Sequence, residues 1–380
     1  MIVRGRTVAG DAVAVSIEAG LIAAIAPVAD APPGLPRLLP GLVDLQVNGY
    51  GGFDANGPGV TPGEIVGMAG ALAADGTTTF VPTVITASTR NIRRSLGAIR
   101  LACENEAVAA AIPFVHVEGP WLSPVDGARG AHDLGQIRRP SLDEFDAWQD
   151  AAGGMIGMVT LSPHWEETPK AVAGLVERGV RVSLGHTHAS PEQIRAAVDA
   201  GATFSTHLGN GIQATLPRHP NAIWTQLADD RLTAGLIADG HHLPVDTLRV
   251  MLRAKGRRAF VVSDAVALAG SAPGRYAQPV GGEVELFANG RLCVAETDYL
   301  AGAGVCLFAG LRTLLGMGSG WEAAVDLVAT RPGIIAGRGG VLAIGEPANL
   351  VLVNDHKQDP VLLGVWQGGQ ERSLSLAKRP

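Results

Sequence analysis

The stretch Ser183–Gly211, SLGHTHASPEQIRAAVDAGATFSTHLGNG, contains the unit that decides the fold. An apolar run, Val182–His186, breaks off at a histidine. A helical segment follows, with Ser190 placed to cap it, Pro191 at its first position and Gly201 as its stop. A second apolar run, Thr203–His207, again ends on a histidine. This is strand, loop, helix, strand, with a polar residue closing each strand.

The same rhythm extends in both directions. Eight apolar runs can be marked: Leu42–Val47, Thr78–Thr83, Phe114–Glu118, Met158–Leu161, Val182–His186, Thr203–His207, Ala234–Asp239 and Phe260–Asp264. Amphipathic segments separate them, among them PVDTLRVMLRAKG, which ends at Gly256. Eight strands alternating with helices predict a (β/α)8 barrel. A doubly wound sheet also alternates, but it need not put polar residues at so many strand ends. The two ends of the chain read differently. Ala12–Ile17 and Leu21–Ile25 alternate with period two, and VLAIG, ANLVLVN and VLLGVWQGG after Val341 again resemble strands. We therefore expect a small β-sandwich domain from residues 1–40 and 341–380, and a catalytic barrel over 41–340.

Bulk properties narrow the function. The 380 residues are 47% hydrophobic and 17% charged, enough apolar content for a large core. A net charge of -6 without a basic run gives no footing for nucleic acid. The three cysteines form no CxxC pair, which argues against a disulfide framework and fits a reducing cytoplasm. The opening residues alternate and carry charge, unlike a signal peptide, and no run of about 18 uncharged apolar residues suggests a membrane span.

Barrel enzymes of this type gather their active site at the C-terminal ends of the strands. The residues that break the runs are Gln46, Asn48, Glu118, His186, His207, Asp239 and Asp264. A lone histidine at a strand end is more commonly a hydrogen-bonded structural residue, and Glu118 or Asp264 alone could cap a turn. Several in register with the strand count point instead to one pocket. Glu118, His186 and His207 come from the third, fifth and sixth strands, and neighbouring strands lie about 4.8 Å apart. Two imidazoles and a carboxylate suit one divalent ion, zinc or iron(II). His188 competes with His186 but lies beyond the strand, in the loop leading to the helix. Asp264, closing the eighth strand, is placed to move a proton to and from a metal-bound water.

These residues sit in longer motifs: PGLVDLQVNGYGG (Pro40–Gly52), GTTTFVPT, HVEGPWLS, RGAHD, LGHTHA, THLGNGI, GLIADGHH, VSDA and GEPANLVLVN (Gly345–Asn354). With them the chain resembles the amidohydrolase superfamily, and within it the N-acetylglucosamine-6-phosphate deacetylases. The resemblance implies hydrolysis of the acetamide of an N-acetyl amino-sugar 6-phosphate, releasing acetate and the amino-sugar phosphate. It also implies a homodimer. Where most of the superfamily has a first-strand His-x-His pair this chain has Gln46 and Asn48, and Thr160-Leu161-Ser162 lacks the bridging lysine of binuclear relatives. That leaves one metal, held by Glu118, His186 and His207. Substrate contacts implied by the resemblance are Ala131, His132, Asn210, Gly211, Arg218, His242 and the stretch Leu300, Ala301, Gly302. In some relatives the arginine matching Arg218 reaches the phosphate from a neighbouring subunit. Arg218, His219 and His242 would make a cationic patch suited to phosphate.

Three departures fall around the substrate. Gly209 stands where the family has an aromatic residue, Leu300–Gly304 replaces a hydroxyl-bearing Gly-Ser-Ser stretch, and SPHWEE replaces Ala-Pro-Glu after the fourth strand. They leave open another N-acyl substrate, such as an unphosphorylated amino sugar or an N-acyl amino acid. More remotely, the chain would be an inactive scaffold.

Overall fold

The computed structural model describes residues 1–278, 282–356 and 360–374. Its centre is an eight-stranded parallel sheet: Leu42–Val47, Thr77–Ile85, Val115–Glu118, Ile156–Leu161, Arg181–Leu184, Phe204–Ser205, Thr233–Ile237 and Ala259–Val262, paired in that order. Each strand is almost wholly buried, as a barrel wall between an outer helical ring and a filled interior must be. The first and last strands close the ring at one end only. There the Asp264 amide donates to the Gln46 carbonyl at 3.1 Å and the Asn48 amide to the Ala265 carbonyl at 2.8 Å.

Local sequence explains the alternation. The helix Pro191–Asp199 starts at a capping box in which the Ser190 hydroxyl accepts from the Gln193 amide and the Gln193 side chain accepts from the Ser190 amide. Ile194, Ala197 and Val198 bury its inner stripe. Val245–Lys255 ends at Gly256, whose φ of 52° favours glycine.

Strands from both ends of the chain join in one seven-stranded sheet, in which Leu350–Val353 pairs antiparallel with Arg37–Pro40. This sheet curls until Ile22 exchanges backbone hydrogen bonds with Gly345 and Glu346. The curl encloses a core of Val15, Ile17, Leu38, Leu350 and Trp366. The segment VLAIG, expected as a strand, is not one. Gly345 turns with φ 89°, Pro347 offers no N–H, and the ladder resumes only at Leu350.

Two small antiparallel sheets have no counterpart in the sequence reading, the first pairing Gly49–Tyr50 with Phe53–Asp54. Between the eighth strand and the helix Leu307–Gly316, a three-stranded antiparallel sheet (Gly274–Gln278, Gly282–Leu286, Leu292–Val294) stands over the mouth of the barrel. Among the described residues no helix is long and apolar enough to cross a membrane.

Candidate active site

The hydrogen-bonded ladder stops two residues short of three of the polar strand ends. The fifth, sixth and eighth strands end at Leu184, Ser205 and Val262, while His186, His207 and Asp264 follow with φ of 46°, 27° and 55°. Left-handed backbone is costly for residues other than glycine and concentrates at functional sites. Here it swings each side chain off the barrel wall and over its mouth. Glu118 stays in the ladder, paired with Ile85 and Thr160.

The result is a buried triangle. The His207 Nε2 lies 3.0 Å from the Glu118 Oε1, the His186 Nε2 lies 3.3 Å from the same oxygen, and the two Nε2 atoms are 3.1 Å apart. The His186 Nδ1–H donates to the Ala128 carbonyl at 3.0 Å, which orients the ring so that Nε2 faces the cluster. Gly130 and Gly211 make room for that ring: a Cβ on Gly211 would lie 2.7 Å from the His186 Nδ1, and one on Gly130 3.1 Å from its Cε1. His188 is turned away, with Nδ1 2.6 Å from the Ser123 hydroxyl. Three donor atoms within 4.8 Å of one another, two nitrogens and one oxygen, fit a divalent ion.

Two side-chain amides stand beside the triangle, on the side of Asp264. The Gln46 Nε2 donates to the Glu118 Oε2 at 3.1 Å and to the Asp264 Oδ1 at 3.0 Å. The Asn48 Nδ2 donates to the same Asp264 oxygen at 2.8 Å. Amides that hold carboxylates by donation make this side of the cluster unsuited to another cation.

Electrostatics separates the groups. Burial would raise the Glu118 carboxyl, but hydrogen bonds from His186 and His207 and their positive field hold it well below the usual range. Burial would lower His207, yet the Glu118 hydrogen bond and charge, with Asp264 behind, push it up to about 9. Burial raises Asp264; His207 pulls it back, and the negative Glu118 pushes it further up. His132, buried beside His186 with its Nε2 3.2 Å from the His186 Nε2, falls to about 3 and is neutral.

A pocket of about 300 Å³ opens above the cluster, a size for a small molecule. Asn48, Ala131, His132, Asn210, Gly211, His242, Leu300, Ala301 and Gly302 line it beside Glu118, His186, His207 and Asp264. Gln46 acts from beneath through its amide. Arg218 is not among the lining residues and lies exposed on the loop before the helix Ala222–Ala228. The aromatic residue missing at Gly209 also has a local reason: φ is 97°, and a Cβ there would lie 2.9 Å from the Met251 methyl.

Several contributors were not singled out by the sequence reading. Asp239, noted only as a strand end, fixes His242: the His242 Nδ1 donates to its Oδ2 at 2.7 Å, which leaves the other ring nitrogen free. Burial would raise the Asp239 carboxyl, but His242 holds it at about 2. Asn56 pins the first loop, donating to the Asn48 and Thr83 carbonyls and accepting from the Ile85 amide at 2.8 Å. Beneath the cluster, His116 bonds Thr160 at 2.7 Å, and Thr160 bonds Thr206 at 2.6 Å. The period of two in VHVE, which puts His116 and Glu118 on one face, was the available signal.

A barrel with this one buried donor triangle, flanked by an acid on the eighth strand, defines a protein built around a divalent-metal centre. The chain belongs to the amidohydrolase family, whose model matches residues 37–373. It is 30% identical over 340 residues to the N-acetylglucosamine-6-phosphate deacetylase of Bacillus subtilis, covering 87% of this chain and 83% of that one. It is 29% identical to the N-acetylgalactosamine-6-phosphate deacetylase of Escherichia coli O157:H7, covering 94% of each. Among solved structures, an N-acetyl-D-glucosamine-6-phosphate deacetylase from Mycobacterium smegmatis superposes with a TM-score of 0.83 at 29% identity, covering 95% of this chain and 94% of that one. That protein carries one aspartate replaced by alanine and is in complex with N-acetyl-D-glucosamine-6-phosphate. The N-acetylglucosamine-6-phosphate deacetylase of Pasteurella multocida superposes with a TM-score of 0.85 at 26% identity, covering 97% and 98%.

Proposed function

We propose that this chain hydrolyses the acetamide of an N-acetyl amino-sugar 6-phosphate, with water adding across the C–N bond to give acetate and the free amine. One observation carries the reading: Asp264 shares a pocket wall with the Glu118–His186–His207 triangle and is clamped there by Gln46 and Asn48. Glu118, His186 and His207 would hold a divalent ion, zinc or iron(II), which would supply Lewis acidity to the acyl carbonyl and lower the pKa of water toward roughly 7.

The chain's own residues do the rest. Both clamping amides reach the Asp264 Oδ1, so its Oδ2 is the oxygen that takes the proton from water and returns it to the amine nitrogen. Burial raises this carboxyl, which makes it a stronger base. Neutral His132 and the Asp239-held His242 offer ring nitrogens to the sugar. Gly211 offers its backbone amide to the phosphate, and Asn210, whose backbone amide donates to the His207 carbonyl, offers the second hydrogen of its side-chain amide. Arg218 would serve the pocket of a partner subunit, which makes a homodimer part of this reading. The cytoplasm is the compartment it assigns, with Cys103, Cys293 and Cys306 all unpaired.

A second reading, an unphosphorylated N-acyl amino sugar, draws support from the pocket wall, where no described residue is a lysine or arginine. Deacetylation assayed on N-acetylglucosamine, N-acetylgalactosamine and N-acetylmannosamine, each with and without the 6-phosphate, separates the two. The first reading expects turnover only with phosphate, and an Arg218→Ala variant with raised KM for the phosphorylated sugar alone. Equal turnover of both forms, unmoved by Arg218→Ala, would install the second.

A further inference from the structure

The edges of the eight-stranded sheet meet along a seam that backbone pairing closes only near the mouth, through Asp264 to Gln46 and through Asn48 and Gly49 to Ala265. One step deeper the strands are joined by a side chain. The Asp44 Oδ1 accepts the Ser263 amide at 3.1 Å and the Gln46 amide at 3.3 Å. Asp44 is fully buried, and its Oδ2 has no partner among the described residues.

A buried, half-satisfied carboxylate in the wall of a barrel is expensive. Nothing in the metal triangle or the pocket uses it. What it grips explains it: Ser263 immediately precedes Asp264, and Gln46 is the residue whose side chain ties Asp264 to Glu118. One oxygen therefore fixes the backbone on both sides of the clamp. Burial pushes the Asp44 carboxyl up to about 7, against the hydrogen bonds from Ser263 and Gln46, so the cost of holding it there is borne by the fold.

We propose that Asp44 is a positioning residue for the deacetylation, setting the place of the Asp264 carboxylate through the Ser263 and Gln46 amides. The proposal rests on the reading of Asp264 as the proton carrier. A displacement of about 1 Å at such a group costs on the order of a hundredfold in rate. The test compares Asp44→Ala with Asp44→Asn as metal-loaded proteins on the substrate that the wild type turns over. Asn keeps a carbonyl oxygen for the two amides, whereas Ala keeps none. Asp44→Ala should lose kcat about a hundredfold with KM and bound metal held, and Asp44→Asn should recover to within about threefold of wild type.

Should Asp44→Ala fail to fold, Asp44→Ser, with a shorter acceptor, is expected to lose kcat in the same pattern. Unchanged kcat per bound metal in either variant overturns the proposal. A second arm needs no activity: in the wild-type protein the Ser263 amide proton should exchange as slowly as ladder amides of the eighth strand. Exchange at the rate of open loops overturns the Asp44 contact itself. A wild type that deacetylates nothing sinks the functional reading and leaves the exchange arm to judge the contact.

Discussion

The two sides of the pocket are built by different means. On the metal side, Glu118, His186, His207 and Asp264 stand on or just past barrel strands. Glu118, His186 and His207 are buried and Asp264 is half-buried. Gln46 holds Glu118, Gln46 and Asn48 hold Asp264, the Ala128 carbonyl holds His186, and Glu118 holds His207. On the far side, Asp298, Tyr299, Leu300, Ala301 and Gly302 belong to the segment that follows the three-stranded sheet, and Tyr299 is 72% exposed. A strand end tied on three sides has one place to be, whereas a rim strung between loops can change composition without moving the cluster beneath it. That difference explains how the departure at Leu300–Gly304 leaves the donor set complete.

The largest test of that contrast is Asp264→Asn. The substitution keeps the shape and a carbonyl oxygen for the Gln46 and Asn48 amides, and removes only the proton-accepting carboxylate. We expect kcat to fall by about 10³ to 10⁴ with metal content unchanged. Full turnover in a metal-loaded Asn variant would remove Asp264 from the chemistry.

Next in size is Gly211→Ala, which attacks the metal side from the substrate side. At φ 57° an added Cβ is strained, and it would stand 2.7 Å from the His186 Nδ1. Backbone strain of about 1–2 kcal/mol is expected. The shifted ring would lose its Ala128 bond, weakening metal affinity by about 10–100-fold. Metal titration reads the effect. An unchanged affinity would show that the ring is not wedged as the distances imply.

Much of the metal side was legible in the sequence, because strand ends announce themselves. Apolar runs broken by His186, His207 and Asp264 obey a periodicity that survives without tertiary knowledge. The left-handed turns that aim them do not, since nothing in GHT or THL states a φ of 46° or 27°. Asp44 was invisible for the opposite reason. Lying inside an apolar run, it reads as a flaw in a strand until the seam shows what it holds. The three-stranded sheet escaped because its strands are short and set among glycines. The exposed position of Arg218 was equally unreadable, since the motif around it gives a residue type and no direction. VLAIG misled because period-two alternation counts side chains, and the missing Pro347 donor counts hydrogen bonds.

Protonation offers a smaller test of the metal side alone. In chelator-treated protein, His207 is pushed up to about 9 from an ordinary value near 6.5. A raised histidine contributes stability that is fully present below 6.5 and is lost as pH rises through 9. Glu118, held low, contributes stability present above its ordinary value and lost as pH falls through its folded one. Metal-free protein should therefore melt highest between those limits, and its Tm should decline from about pH 6.5 to 9. Metal competes with the His207 proton, so metal affinity should rise over the same window. A metal-free Tm that is flat across it would disprove the Glu118–His207 ion pair.

The smallest effect belongs to the rim, and it tests whether the two sides are separable. Ala301 lines the pocket where relatives are expected to carry a hydroxyl. Ala301→Ser adds one hydrogen-bonding group at a position whose own amide pairs with the Leu292 carbonyl and not with Asp264. One neutral hydrogen bond to substrate is worth about 1 kcal/mol, so KM should move by no more than about fivefold, with kcat and metal affinity held. If kcat moves instead, the rim is mechanically joined to Asp264. The joint would have to run through Ala303, whose amide donates to the Asp264 carbonyl at 3.2 Å and whose carbonyl accepts from the Val266 amide at 3.2 Å. In that case the division of labour between strand ends and loops would have to be redrawn at Ala303.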